Sequence, residues 1–360
     1  MRDARPRSHR TSPRRSRGCV IALVSLAAVL VVAGVVAATV WQTLFRSENP
    51  VAPGQQVEFT VKKGDSVEQI GGALAGQGIV RNAAMFRWQA RSSGQASKLK
   101  PGTYALATGM PYDMVLDKLV WGPDVVYYDV TIPEGFSARR VAARFAAQAH
   151  VSEPEMLELV LHKAAQFEAG HPYLKDAYDG SLEGFLFPKT YRIKKGTKPE
   201  AIVEMMLTQF DEEIATVDLS FAKKHHLDAY DVVTIASIIE REVRLQREYR
   251  LVSSVIYNRL ELPMRLQLDS TVFYALPEGT KILTKADLAA HTPWNTYRRD
   301  GLPLTPICNP GIKAIEAAAK PKRTKYLYYV LTSKDGSQTF ATNYPDFLKA
   351  VEKYRKLFGY

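Results

Sequence analysis

Cysteine is nearly absent: two occur in 360 residues, Cys19 and Cys308. Cys19 lies inside a long apolar run, so Cys308 has no intramolecular partner and no disulfide is expected to hold the fold. Histidine is scarce as well, seven in all, and the adjacent pair His225-His226 stands alone. Without Cys or His at ligand spacing, neither a metal site nor a cofactor is expected. Charge of one sign is also missing from most of the chain. The formal net charge is +11, but residues 1–18 hold seven Arg against the single acid Asp3. Removing that tail leaves 48 − 7 = 41 basic and 37 − 1 = 36 acidic residues, or +5. Nothing downstream has the clustered basic surface of a nucleic-acid module, so nucleic acid is not expected as a partner.

One stretch lacks charge altogether. Cys19–Trp41 runs 23 residues without an ionisable acid or base. As a helix it would span about 34 Å, enough for a hydrocarbon core of about 30 Å. A cleaved signal peptide is the competing reading, but its apolar core is usually about 7–15 residues long. Val36-Ala37-Ala38 is also a poor cleavage site. The Arg-rich flank favours a cytoplasmic N-terminus. The expected layout is a basic tail (1–18), a single-pass membrane helix (19–41) and a short Pro/Gly spacer (42–56). Folded extracytoplasmic parts would follow, 57–131 and 132–360, the chain being long enough for two folded units.

The first of these parts alternates strand and helix signals. VEFTVK (57–62) reads as a strand, and Asp65 or Ser66 can cap a helix over 67–77. A second helix is predicted over 82–91 and a second strand in PGTYAL (101–106). This order, opened by VKKGDSVEQIGGAL, resembles the LysM carbohydrate-binding module; a small α+β packing domain without a ligand fits the same pattern. Then YYDVTI (127–132) reads as a strand and Ser137 caps a helix over 138–150.

Further on, helices are predicted over 152–163, 198–216, 251–260, 312–319 and 345–357. A hairpin joins 326–332 to 338–343 across Ser333-Lys334-Asp335-Gly336. Glu183, Phe185, Phe187 and Tyr191, in LEGFLFPKTYR, suit a groove wall for a ring-shaped ligand, or equally a buried core. The polar group Gln267, Asp269, Ser270 and Thr271 could line a site or cap a helix, and WNTY (294–297) is rich in hydrogen-bonding side chains.

The focal stretch is DVVTIASIIEREVRLQREYR, residues 231–250. Read as one helix at about 100° per residue, it gathers Ile235, Ile238, Ile239, Leu245 and Tyr249 on one face. Glu242 falls in the middle of that stripe. Glu240 points the other way with Ser237, Arg244 and Arg247. A carboxyl among apolar neighbours is hard to ionise and suits a general acid near neutral pH. A salt-bridged or solvated Glu at the edge of an amphipathic helix has the same spacing.

Six segments together carry a more specific signal: IASIIEREV, LEGFLFPKTY, VIYNRL, MRLQLDSTVFY, WNTY with GLPLTPICNPG, and YLYYVLTSKDGSQTFATNY. They resemble the YceG-like family of endolytic murein transglycosylases over roughly residues 57–355. The resemblance implies a mixed α+β fold and a peptidoglycan substrate, cut at the β-1,4 bond between N-acetylmuramic acid and N-acetylglucosamine. It implies a 1,6-anhydro product, formed in nascent strands and ending their elongation, with Glu242 as the catalytic acid. It also implies action at the bacterial inner membrane, with a peptidoglycan synthase (a penicillin-binding protein) as a partner left open. Glu240, Asn258, Gln267, Asp269, Thr271, Asn295, Thr296 and Tyr297 are the candidate supporting residues, the amides as hydrogen-bonders to N-acetyl groups. Lys189, Leu304 and Gln338 depart from the family pattern, which has Asp, Pro and His there. Two other readings stay open: a tethered peptidoglycan-binding protein without activity, and a true hydrolase using Asp269 as second carboxylate.

Overall fold

The computed structural model describes residues 17–45, 51–175, 177–262 and 264–359. Most of the basic tail (1–16) and part of the spacer (46–50) lie outside the described residues. The first helix, α1 (Arg17–Phe45), contains one segment, Ile21–Gln42, long and apolar enough to cross a membrane. The chain divides into two compact units at Val125/Val126.

In the first unit, β1 (Gln56–Val61), α2 (Val67–Gly76), α3 (Ala83–Ser92), β2 (Gly102–Ala107) and α4 (Tyr112–Trp121) follow in order. β1 and β2 pair antiparallel, with Phe59 opposite Tyr104. Ser66, one of the two expected caps, closes a capping box with Gln69 at the start of α2, and Asn82, read as the first residue of the next helix, caps α3 instead. Phe59, Leu74, Ile79, Phe86, Leu106, Leu116 and Leu119 form a small sealed core. α4, unassigned from sequence, starts behind Pro111 without a side-chain cap and supplies Val115, Leu116 and Leu119 to that core.

The second unit opens with β3 (Tyr127–Thr131), α5 (Ala138–Ala149), α6 (Glu153–His162), β4 (Thr190–Lys194), α7 (Pro199–Ile214) and α8 (Ser220–Lys224). It continues with α9 (Ala229–Glu242), α10 (Tyr249–Glu261), α11 (Asp269–Tyr274), α12 (Lys285–Ala289) and α13 (Ile312–Ala319). β5 (Tyr328–Leu331), β6 (Gln338–Ala341) and α14 (Tyr344–Phe358) close the chain. β3 pairs antiparallel with β4, Val130 opposite Tyr191, so the strand allotted by sequence to the preceding module belongs to this unit. β5 and β6 form the expected hairpin, Tyr329 opposite Phe340. The protein is mixed α+β, and among the described residues its sheets are three separate two-stranded ribbons.

α9 is the centre of this unit. Every residue from Val232 to Ile239 is buried, so the helix is covered on all sides and not only along a stripe. Six of those eight are Val, Ile or Thr, at positions 232, 233, 234, 235, 238 and 239, poor helix formers by themselves. Packing against α13 and α10 outweighs that propensity. The interior hydroxyls are satisfied locally: Thr234 donates to the Tyr230 carbonyl at 2.9 Å and Ser237 to the Thr234 carbonyl at 2.7 Å.

Candidate active site

The predicted helix over 231–250 is broken, and the break sets the geometry of the site. α9 ends at Glu242; Val243 is extended (φ −120°, ψ 124°) and Leu245 likewise (φ −109°, ψ 111°). No Gly or Pro stands between 231 and 250 to announce this. The signal comes from the hairpin instead. The Gln338 side-chain Nε2 donates to the Glu242 carbonyl at 3.1 Å, and the Gln338 backbone N–H donates to the buried Glu248 carboxylate at 3.2 Å. Leu245 and Tyr249 are therefore not helical neighbours of Glu242. The apolar stripe proposed to surround it does not exist in that form.

Burial still raises the Glu242 carboxyl, but the neighbours that the structure gives it are polar and come from other segments. Its Oε1 accepts the Ser270 N–H at 3.4 Å and its Oε2 accepts the Tyr329 hydroxyl at 3.2 Å. Burial pushes its carboxyl above the usual carboxylate range, with the charge of Asp269 adding to the rise; Ser270 and Tyr329 pull the other way. The result is a half-buried acid on the last turn of a rigid helix, held by a hairpin on one side and by α11 on the other.

Glu240 is not the solvated residue that the wheel suggests. It is half-buried, its Oε2 accepts the Gly311 N–H at 3.2 Å, and burial together with Glu134 pushes its carboxyl up. Ser237, placed on the same polar face by the wheel, is fully buried and holds the Ile307 N–H at 3.0 Å.

The proposed groove wall divides. Phe185, Phe187 and Tyr191 are core residues: Phe185 stacks on Tyr173 at 5.0 Å between centroids, and the Tyr191 hydroxyl is spent on the Phe187 carbonyl at 2.6 Å. Glu183 alone of the four lines a cleft of about 840 Å³, with Ser270, Tyr274, Trp294 and Arg241 also on its wall. Glu183 itself is almost fully enclosed. It accepts the Ala138 N–H at 2.9 Å, the Tyr274 hydroxyl at 2.8 Å and the Asn309 Nδ2 at 3.3 Å. Burial pushes its carboxyl up to about 7 against those hydrogen bonds.

The supporting residues separate by what their polar groups already hold. The Asn258 amide donates to the carbonyls of Thr324 (3.1 Å) and Tyr326 (2.8 Å). The Asn295 amide donates to the carbonyls of Asp287, Leu288 and Ala290, the last at 2.6 Å. Both secure loops and neither amide is available to a sugar. Thr271 and Thr296 are buried and bonded to each other at 2.9 Å. Asp269 is exposed beside Glu242 and accepts the Tyr297 hydroxyl at 2.6 Å; Gln267 is exposed at φ 51°. Of the three departures, Lys189 pairs with Gln209 at the surface, and Leu304 contributes only backbone contacts, accepting from the Tyr230 hydroxyl at 3.3 Å. Gln338 ends the α9 helix. Sequence reasoning missed Tyr329 and left Ser270 out of the supporting set. Both stand in motifs rich in such residues, YLYYV and QLDSTVFY, and no local rule separates them from their neighbours.

Comparison with known proteins bears on this site. The profile of the YceG-like family matches residues 59–353. A protein of Bacillus subtilis named endolytic murein transglycosylase is 30% identical over 308 residues, 83% of this chain and 84% of its own. A protein of the same name from Streptococcus pneumoniae is 29% identical over 322 residues, with 83% of this chain matched to 58% of that longer one. Among solved structures, a yceG-like protein from Listeria monocytogenes is 30% identical, with a TM-score of 0.56 over 82% of this chain and 99% of that one.

Proposed function

The chain belongs to the YceG-like family, and from that premise we propose that it is a lytic transglycosylase of peptidoglycan with Glu242 as its single acid–base residue. The carrying observation is the half-buried Glu242 carboxyl, pushed toward its acid form by burial and hydrogen-bonded to Ser270, a residue on the wall of the cleft. Protonated, Glu242 gives its hydrogen to the oxygen linking N-acetylmuramic acid to N-acetylglucosamine. The C1–O bond breaks, and the C6 hydroxyl of the same muramic acid attacks C1. Its proton passes to the Glu242 carboxylate, which regenerates the acid. A 1,6-anhydro end and a free 4-hydroxyl result, with no water consumed. One carboxyl suffices because the nucleophile belongs to the substrate, and its attachment gives it a large effective concentration over water. Asp269, exposed and hydrogen-bonded to Tyr297, is a charge beside Glu242 and not a second catalytic carboxylate.

The apolar α1 anchors the chain in the bacterial inner membrane with its Arg-rich end in the cytoplasm. The strand–helix–helix–strand module acts as a LysM-like contact to glycan. The enzyme cuts within new strands near their synthase and ends their elongation.

Mass analysis of products from purified sacculi tests the reading. Wild type is expected to release fragments lighter by one water than those of a hydrolase. Glu242→Gln is expected to release none, and Glu240→Gln to keep most of the activity. Full digestion by Glu242→Gln would remove the assignment, and reducing ends without anhydro ends would make the enzyme a hydrolase.

A further inference from the structure

Ser270 stands apart from the hydroxyls around it. Thr271 Oγ1 donates to the Leu268 carbonyl at 2.6 Å and pairs with Thr296, and Thr296 Oγ1 accepts the Leu268 N–H at 2.9 Å. The Tyr297 hydroxyl is used by Asp269. Ser270 Oγ, by contrast, is enclosed and has no partner at good hydrogen-bond geometry among the described residues, yet it stands close enough to the Glu242 carboxyl to favour its ionised form. It lies on the wall of the cleft while its own N–H holds Glu242 Oε1. A buried hydroxyl without a partner is disfavoured unless another state of the site supplies one.

We propose that Ser270 is the positioning partner of Glu242 through both of its proton states, resting on the transglycosylase reading above. A hydroxyl both accepts and donates. Before the glycan binds, Ser270 Oγ accepts the hydrogen of the Glu242 carboxylic acid and aims it into the cleft. The glycosidic oxygen displaces it as acceptor. Once the proton has moved to the leaving oxygen, the Ser270 O–H donates to the new Glu242 carboxylate, beside the N–H that already does so. That carboxylate then takes the proton of the C6 hydroxyl, and the hydroxyl of Ser270 returns to its first role. No proton is gained or lost by Ser270 over the cycle.

The other charged or titratable groups near this carboxyl are Asp269 on α11, Tyr297 in the following loop and Tyr329 on β5. Arg259 of α10 acts on Tyr329, while Glu240 and Arg241 share α9 with Glu242. The Tyr329 hydroxyl meets Oε2 and the Tyr297 hydroxyl is held by Asp269, so among these groups Ser270 is the one that stands at Oε1.

The test compares kcat and KM against pH for the full-length protein in detergent on purified sacculi, as wild type, Ser270→Ala and Ser270→Thr. Because the hydroxyl favours the ionised form of Glu242, Ser270→Ala is expected to lower kcat by about ten- to a hundredfold. KM should change little, and the alkaline limb of the profile should move to higher pH. Ser270→Thr restores most of the rate and the original limb. An unchanged kcat and limb in Ser270→Ala overturns the proposal. So does a loss of rate with an unmoved limb and no rescue by Thr, or a collapse of the melting transition in both variants, since each makes Ser270 a packing residue. If wild type itself forms no anhydro ends, the transglycosylase reading falls, and this proposal with it.

Discussion

Tyr329 and Glu242, 87 positions apart in the chain, meet at 3.2 Å, the phenolic hydroxyl donating to Oε2. This contact fastens the C-terminal hairpin to the end of the central helix. Burial pushes the Tyr329 hydroxyl well above its usual range, so it remains a donor throughout the working pH of the protein. Its removal in Tyr329→Phe takes away a hydrogen bond that favours ionised Glu242. On the proposed mechanism activity depends on the protonated acid and falls as pH rises through its pKa. The variant should therefore show an alkaline limb displaced to higher pH and a kcat lowered by about tenfold, read from product release against pH.

Glu183 gives a stability prediction with a definite sign. Its carboxyl rises from 4.5 to about 7 on folding, so the folded state binds the proton more tightly than the unfolded chain. Folding stability contributed by this group is then present below the unfolded value and is lost as pH climbs through about 7. The melting temperature of wild type should decline across that window, and Glu183→Gln should flatten the decline. A slope equal to that of wild type in the variant would assign the pH dependence to other groups.

Gly184 sits where a side chain would be both strained and crowded. Its φ is +94°, and a Cβ there would meet Pro306 Cγ at 2.4 Å and Val233 Cγ1 at 2.9 Å. Both strain and overlap oppose a side chain where the 182–187 turn touches α9. Gly184→Ala is expected to destabilise by about 3 kcal/mol or more, seen as a lower denaturation midpoint.

Phe185→Ala separates the two meanings first available for the aromatic motif. As a core residue wedged among Tyr173, Phe210 and Tyr230, its truncation should cost about 3–5 kcal/mol in unfolding free energy. A groove residue would instead raise KM with the denaturation midpoint unmoved. Parallel denaturation and kinetic titrations decide between them.

What the sequence alone determined is what depends on nearest neighbours along the chain. Ser66 and Ser137 cap the helices that follow them, because a short polar side chain reaches the N–H three residues ahead whatever lies elsewhere. The Asp335-Gly336 turn and its alternating flanks made the hairpin legible, and an uncharged run marked α1. The raised carboxyl of Glu242 was also expected, although from a wheel drawn through a helix that stops under it. The tertiary structure alone decided where α9 ends, since the partner of its last carbonyl is Gln338, 96 positions away. It likewise turned Asn258 and Asn295 into loop fasteners and sent Phe185 inward. It also set the enclosed hydroxyl of Ser270 beside the acid. Periodicity records which residues avoid water, but a hydrogen bond needs two groups at one place and only the folded chain brings them together.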